Sequence, residues 1–258
     1  MLELNIDFKT PFEELNEKIR ASSETNVAIF GCAGQRYIAA GLSGKELDIH
    51  GIPGNALGAY LDGSVINVRG NVQDATGDTM NGGEIVIFGC AGDATGYAMR
   101  GGTIFIRGNT GYRAGIHMKA YKSQQPAIII GGEAGSFLGE YQAGGIIVVF
   151  GLDLPKTLNG KGYAGHPYKR PDVGDFLATG MHGGKIYIRL HDKKGEIEVP
   201  PYIKLTKKSG REILELSDYI QKFCQHFEDV NPAVLFDSTY AILEPNAEKP
   251  YKQTYCVN

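Results

Sequence analysis

The sequence has few cysteines, and no two of them are closely spaced. Four occur among 258 residues, at Cys32, Cys90, Cys224 and Cys256. Structural zinc and iron–sulfur sites are built from cysteines at short spacing, and small secreted domains are rich in disulfides. The cysteine content therefore predicts a reduced, cytoplasmic protein with no metal site in this chain.

Long apolar runs and a strong excess of charge are also missing. No apolar run approaches the roughly 18–20 residues that span a bilayer, and the N-terminal MLELNIDFKT carries acids and no apolar signal segment. The net charge of −3 gives no basic surface for nucleic acid or an anionic membrane. We expect neither nucleic acid nor a membrane among the partners.

The common nucleotide-binding and catalytic motifs do not occur. The sequence contains no G-x-G-x-x-G after a strand, no G-x4-G-K-[ST], no G-x-S-x-G and no H-E-x-x-H. The six histidines are scattered, and Cys224 with His226 on one helix is only a weak metal pair. We therefore predict no catalytic, cofactor-binding or metal-binding residue in this chain.

What the sequence does contain is an internal repeat. Between residues 44 and 115, glycines recur at intervals of nineteen in three columns. Their spacing, G-x2-G-x3-G, is typical of corners that need a positive φ or a close approach of two backbones. The predicted structural glycines are Gly51, Gly54, Gly58, Gly89, Gly92, Gly96, Gly108, Gly111, Gly115, Gly132, Gly135 and Gly139.

Each row of the repeat also predicts a strand and a buried column. Apolar residues at the third and fifth places after the opening glycine indicate a short strand with one buried face. A second apolar column holds every methionine except Met1, and flexible methionines favour a packed core over a metal or redox site. Its members are Leu42, Leu61, Met80, Met99, Met118 and Met181.

One row is too short to bury its own apolar face, so the rows must stack. Parallel stacking with the usual handedness of crossovers predicts an all-β chain, a single-stranded right-handed parallel β-helix of about seven coils. We assign this β-helix to residues 26–190, with an insertion at 152–173. Residues 29–34 and 87–92 both read IFGCAG, so Cys32 and Cys90 are predicted at equivalent corners, too far apart for a disulfide.

Two smaller segments flank the repeat. Residues 1–25 predict an edge strand and a capping helix, which begins in a capping box at Thr10–Glu13. Residues 191–258 predict a strand, an amphipathic helix within 210–228 and an extended C-terminal arm. An arm with several aromatic residues favours docking either on a partner or on its own β-helix.

Outward-facing polar columns leave an enzymatic alternative open. One column reads Asp62, Asn81, Arg100, and another holds His50, Arg69 and Arg107. Parallel β-helix enzymes that cleave acidic polysaccharides set carboxylates and arginines on such a face, and catalysis needs a pair of carboxylates in a cleft. The same columns are also typical of a solvated sheet face.

The glycine repeats and the segment GDFLATGMHGG at 174–184 resemble the C-terminal β-helix domain of glutamate synthase large subunits. The same domain occurs as the C subunit of formylmethanofuran dehydrogenase and as a separate subunit of enzymes such as N-methylglutamate synthase. The resemblance implies a scaffold without catalytic residues, which holds a glutamine amidotransferase domain against an FMN-binding synthase domain. It also implies that FMN and iron–sulfur clusters belong to partner subunits.

We accordingly expect a structural subunit of a glutamate-synthase-like complex, with glutamine amidotransferase-like and FMN/iron–sulfur synthase-like partners. The alternatives are the scaffold subunit of a formylmethanofuran dehydrogenase-like complex and a carbohydrate-acting β-helix enzyme. A homo-oligomer through exposed β-edges also stays open. The candidate partner contacts lie in the insertion and the arm: Tyr163, His166, Tyr168, Lys169, Arg170, Tyr251 and Tyr255.

Overall fold

The computed structural model describes residues 1–152, 172–191 and 197–246. Within this part of the chain, eleven strands form one sheet in the order β1-β2-β3-β4-β5-β6-β7-β8-β9-β11-β10. The strands are β1 (Leu2–Asn5), β2 (Asn26–Ala33), β3 (Glu46–Ile52), β4 (Val65–Val68), β5 (Glu84–Ile87), β6 (Thr103–Ile106), β7 (Ala127–Ile130), β8 (Ala143–Val149), β9 (Gly183–Leu190), β10 (Ile203–Ser209) and β11 (Thr239–Pro245). The helices are α1 (Phe12–Ala21), α2 (Leu214–His226) and α3 (Pro232–Phe236), with a 3-10 turn at Gly210–Glu212. No helix in these ranges is long and apolar enough to cross a membrane.

The repeat sets the register of the parallel strands. Ile66 pairs with Leu47 on one side and with Ile85 on the other, so the same place in successive rows comes side by side. An insertion lengthens the row before β7, but the register continues from Ile104 to Ile128. The alternation of apolar residues therefore becomes one continuous buried surface along the sheet.

The prediction of a right-handed parallel β-helix of about seven coils is wrong, although the all-β class holds. The strands belong to a single, mostly parallel sheet, and β11 joins its end antiparallel to both β9 and β10. The central rows each contribute one short strand to this sheet. The rest of such a row contains three left-handed residues, which break the extended backbone that a further strand would need.

The chain buries two cores, one on each face of the sheet. The first core lies between the sheet and the turn segments of the rows, and it contains the whole predicted column from Leu42 to Met181. The packing interpretation of the methionines is thus confirmed. The second core lies between the other face of the sheet and α2, and it includes Phe105, Val148 and Phe223.

The C-terminal segment builds the cover of the second core. The predicted helix is present as α2 and buries Leu216, Ile220 and Phe223. Residues 239–245, which the sequence analysis placed in an extended arm, form β11 inside the sheet. The segment boundaries at 25 and 190 stay a prediction.

The N-terminal helix packs against the first core, but its start differs from the prediction. Leu15 and Ile19 of α1 are buried in that core. No capping box forms at Thr10, since Pro11 is the N-cap and the Thr10 hydroxyl donates to Asp7 Oδ1 at 3.2 Å. Asn16 holds the helix on the first row instead, because its Nδ2 donates to the Tyr37 carbonyl at 2.9 Å.

The two IFGCAG segments are not equivalent in register. The pairing of β2 with β3 shifts after Phe30, so that Cys32 pairs with Gly51. Gly51 belongs to the column of Gly89, and Cys90 follows one place later. The predicted equivalence is therefore wrong, because a bulge at Gly31 adds one residue to the first strand. Cys32, Cys90 and Cys224 are free thiols.

Candidate interaction surfaces

The turn segments of the rows share an unusual backbone. Three residues per row, each two apart, have φ between +50° and +71°. The middle one is usually glycine, and a Cβ at Gly115 would lie 2.5 Å from Ile147 Cδ1 in the first core. The outer two carry side chains in most rows, although a left-handed residue other than glycine costs about 1–2 kcal/mol. The three columns are Tyr37, Ala56, Ala75, Ala94, Arg113, Phe137 and Phe176; Ala39, Gly58, Gly77, Gly96, Gly115, Gly139 and Ala178; and Gly41, Tyr60, Thr79, Ala98, His117, Tyr141 and Gly180.

The other glycines of G-x2-G-x3-G lie where two rows touch. A Cβ at Gly135 would come within 2.6 Å of the carbonyl carbon and oxygen of Gly111. A Cβ at Gly108 would lie 2.6 Å from Cys90 Sγ and 2.9 Å from the Gly89 carbonyl oxygen. These glycines permit the close stacking of the rows.

The turn segments form an outward surface that is rich in aromatic residues. We call this surface the turn face. It holds six Tyr and Phe residues, and four of the rings are strongly exposed: Tyr60 57%, Tyr112 52%, Tyr141 45% and Phe176 64%. Sequence analysis missed these residues, although their places relative to the glycine columns were visible. The turn face comprises residues 55–60, 74–79, 93–98, 112–117, 136–141 and 175–180.

Several side chains of the turn face stack from row to row. The Phe137 and Phe176 rings lie 4.8 Å apart at 17°, and the Arg113 guanidinium lies 4.5 Å from the Phe137 ring centre. Arg113 Nε also donates to Glu140 Oε2 at 3.0 Å. His117 and Tyr141 stack in the same way at 5.2 Å. Residues at the same place in successive rows therefore stack on the surface, as they pair within the sheet.

A ladder of polar side chains runs beside these rings. Asp74 Oδ1 accepts the backbone N–H of Asp93 at 2.9 Å, and Asp93 Oδ1 accepts that of Tyr112 at 2.8 Å. Each carboxylate therefore satisfies a backbone donor of the next row. Asp74 and Asp93 of the ladder are exposed, as is Asp175 on the same surface, so these carboxylates give the turn face negative charge.

The segment GDFLATGMHGG closes the stack of rows. A Cβ at Gly180 would clash with the Tyr141 ring, and the Gly180 N–H donates to the Tyr202 hydroxyl at 2.8 Å. A Cβ at Gly184 would lie 2.6 Å from the carbonyl oxygen of Gly145. The glycines of this segment are thus explained by close packing.

On the opposite side of the sheet, a polar cluster joins α2 to β9. Glu215 Oε2 accepts hydrogen bonds from the Tyr187 hydroxyl at 2.6 Å and from Lys185 Nζ at 2.9 Å. Burial opposes ionisation of Glu215, but these two donors outweigh it and lower the pKa of its carboxyl group. Burial and the nearby carboxylate raise the pKa of Tyr187. The cluster fastens the first turn of α2 to the sheet.

Two residues of the predicted column, Arg69 and Arg107, border a groove of about 430 Å³ at the end of α2. His50 lies outside this groove, and its Nε2 is 3.4 Å from Asp48 Oδ2. The Arg69 guanidinium lies 4.2 Å from the Phe88 ring centre and its Nε donates to Asp48 Oδ1 at 2.9 Å. Arg107 pairs with Asp229. Arg69 and Arg107, two of the cations that the enzymatic interpretation invoked, are therefore engaged by carboxylates of the same chain.

The other predicted site residues are the column of Asp62, Asn81 and Arg100 and the pair of Cys224 and His226. Asp62 and Arg100 are exposed, and Asn81 is half-buried. His226 Nε2 lies 3.1 Å from Glu84 Oε1, which gives His226 a carboxylate partner in β5. Across the described ranges, no group of three or more His, Cys, Asp or Glu side chains is arranged to hold a metal ion.

The predicted partner contacts lie outside the described residues. This applies to Tyr163, His166, Tyr168, Lys169 and Arg170 in the insertion, and to Tyr251 and Tyr255 near the C-terminus. Their role stays a prediction.

Known proteins are similar to this chain in sequence and in fold. The chain is 41% identical over 266 residues to the protein MJ1350 of Methanocaldococcus jannaschii, an alignment that covers 99% of this chain and 97% of that protein. Its fold is similar to a chain in the crystal structure of the formyltransferase/hydrolase complex FhcABCD from Methylorubrum extorquens in complex with methylofuran, with a TM-score of 0.60 and 20% identity over 85% of this chain and 73% of that chain. A family model described as the GXGXG motif matches residues 13–243. This protein therefore belongs to the GXGXG motif family.

Proposed function

We propose that this chain is a structural subunit of a multisubunit complex related to the formyltransferase/hydrolase assembly FhcABCD, and that it supplies no catalytic residue itself. The observation that carries the proposal is the fold match over 85% of the chain to a subunit of that complex. A sheet with a packed core on each face suits a scaffold, since partner subunits then dock on surfaces that do not rearrange.

Two features of the structure support a binding role. The turn face exposes several large aromatic side chains in one surface, and Tyr, Phe and Arg are the residues enriched at protein interfaces. The polar cluster at Glu215 holds α2 on the sheet, and Arg69 pairs with Asp48 of β3, so both sets of side chains are engaged within the chain. Such pairing is typical of structural side chains.

The experiment is affinity purification of the tagged full-length protein from its native cells, followed by mass spectrometry. We expect chains that resemble other subunits of formyl-group-transferring complexes. Recovery of this chain alone, with activity on a carbohydrate substrate, would contradict the proposal. It would revive the enzymatic interpretation of the Asp62 column.

A glutamate-synthase-like complex is the second candidate. It is favoured by the segment at 174–184, whose glycines resemble those of the glutamate synthase β-helix domain. This candidate predicts that amidotransferase-like chains and FMN/iron–sulfur chains co-purify. The flavin and the clusters would reside in those partners, so a flavin spectrum and an iron assay of the eluate distinguish the two complexes.

The predicted contacts in the insertion have their own test. Deletion of residues 160–170 should leave the fold intact, because insertions between elements of a scaffold are tolerated. It should weaken assembly, measured as the yield of co-purified subunits. An unchanged yield of co-purified subunits would show that residues 160–170 are not part of the interface.

A further inference from the structure

We propose that the turn face binds an arginine- or lysine-bearing segment of a partner subunit. The inference rests on the proposed function, since it names the chemistry of a partner that a structural subunit must have. It is carried by aromatic rings and carboxylates that alternate on one surface.

Several aromatic rings of the turn face are accessible to a partner. Tyr60 and Tyr112 are more than half exposed, and neither ring contacts another ring among the described residues. Phe176 is 64% exposed and stands at the end of the stack that begins with Arg113 and Phe137. Faces of this kind attract cations, with Arg more common than Lys.

The charge of the turn face is one-sided. Its residues include the five carboxylates of Asp74, Asp78, Asp93, Glu140 and Asp175, against the single guanidinium of Arg113. Arg113 is already paired with Glu140 at 3.0 Å. The excess of negative charge favours a basic partner over an acidic one.

One arginine of the turn face already shows how a partner arginine would bind. Arg113 stacks on the Phe137 ring while its Nε donates to Glu140. Two further places bring an aromatic residue next to an exposed carboxylate-bearing residue. Asp93 accepts the N–H of Tyr112 at 2.8 Å, which sets the two residues side by side, and Asp175 directly precedes Phe176. A guanidinium placed there would stack on the ring and bond to the carboxylate.

A second copy of this chain is a poor occupant. Two turn faces brought together would oppose like charges, which is destabilising when the carboxylates lose water. Face-to-face pairing of two copies is therefore disfavoured, and the occupant assigned to the turn face is a different polypeptide.

Site-specific photo-crosslinking in native cells tests the occupant. The photoreactive amino acid p-benzoylphenylalanine replaces Tyr112 in one variant and Phe176 in another, and the crosslinked peptides are sequenced. We expect crosslinks to a segment of another subunit that contains arginine or lysine. The same probe at Leu214, which is the first residue of α2 and 86% exposed, is the control and should not reach that segment.

Three outcomes overturn the inference: crosslinks to a second copy or to this chain itself, crosslinks to a segment without basic residues, or no crosslink while the complex is intact. The last outcome leaves the proposed function standing, since co-purified subunits would still be present. Loss of all partners in the purification, by contrast, removes the proposed function.

Charge variants provide a second readout. Asp93→Asn and Asp175→Asn remove charge, and at position 93 the Asn side chain keeps an oxygen for the backbone N–H of Tyr112. Each should weaken partner binding about two- to fivefold. The partner should then leave the immobilised chain at a lower salt concentration than it leaves the native chain. Asp62→Asn, outside the turn face, is the matched control. An unchanged release point for both turn-face variants would count against a basic segment.

Discussion

At the scale of the residue, glycine has two separate roles in the rows. At Gly135 it permits contact between two backbones, because a Cβ would lie 2.6 Å from Gly111 and 2.9 Å from the Tyr112 nitrogen. At Gly44 the φ is +67°, but a Cβ there would meet no other atom within 4 Å. A side chain at position 135 is therefore excluded by lack of space, whereas a side chain at position 44 is disfavoured only by the backbone conformation.

This difference predicts unequal costs for the same substitution. Gly135→Ala should lower the free energy of unfolding by about 3 kcal/mol or more, since backbone atoms must move. Gly44→Ala should cost about 1 kcal/mol, which is the strain of a left-handed alanine. Urea denaturation of both variants measures the difference. Equal losses would show that backbone contact between rows is not the reason for the glycine at 135.

At the scale of the element, α2 owes its place to its apolar face. Phe223 is fully buried and its ring lies 5.0 Å from Phe150 and 4.7 Å from Phe227. Phe223→Ala should reduce the free energy of unfolding by about 3–5 kcal/mol, because it removes a large side chain from the second core. Leu214→Ala on the same helix should change it by less than about 0.5 kcal/mol, since that residue is 86% exposed. Thermal unfolding followed by circular dichroism distinguishes the two.

The cluster that fastens α2 should depend on pH. The lowered pKa of Glu215 means that its ionised form favours the folded state. Its contribution is present at neutral pH, and it is lost as pH falls through the lowered folded-state pKa. Glu215→Gln should therefore be less stable than the native protein at pH 7, and the gap should close at acid pH.

The measurement is the unfolding free energy of both proteins across neutral and acidic pH. Glu13→Gln, at an exposed site on α1, is the control and should track the native profile. A gap that stays constant on acidification would assign the effect of Glu215→Gln to packing instead of charge.

At the scale of the whole molecule, β11 couples the two cores. Its residues alternate, with Ala241 and Leu243 in the first core and Tyr240 and Ile242 in the second. Neither core is complete without this strand. We expect a single cooperative unfolding transition, in which far-UV circular dichroism and tyrosine fluorescence change at the same denaturant concentration. Two separate transitions would show that α2 and its core unfold independently.

Parts of this architecture were predictable from local pattern. The strand of each central row, the buried column from Leu42 to Met181 and the apolar face of α2 all follow from periodicity, because burial imposes the same spacing wherever a strand or helix meets a core. The capping box at Thr10 was wrong, since Asp7 competes for the hydroxyl. The equivalence of Cys32 and Cys90 was wrong because one bulge shifts the register.

The candidate site depended more strongly on three-dimensional structure. Tyr112 and Phe176 occupy ordinary places in the sequence, and only the backbone of the turn segments directs them outward beside Asp93 and Asp175. Residues other than glycine adopt a left-handed φ in these turns because contacts between the stacked rows compensate the strain. The residue type at such a position therefore does not reveal its conformation.

The sequence by itself determined the repeat, its period and the residues that face the first core, since these depend on spacing along the chain. The tertiary structure alone decided that the rows build one sheet, and that the C-terminal segment inserts β11 and covers the second face with α2. It also decided which polar and aromatic side chains meet. Contacts between distant segments depend on how surfaces fit together, and no local periodicity encodes that fit.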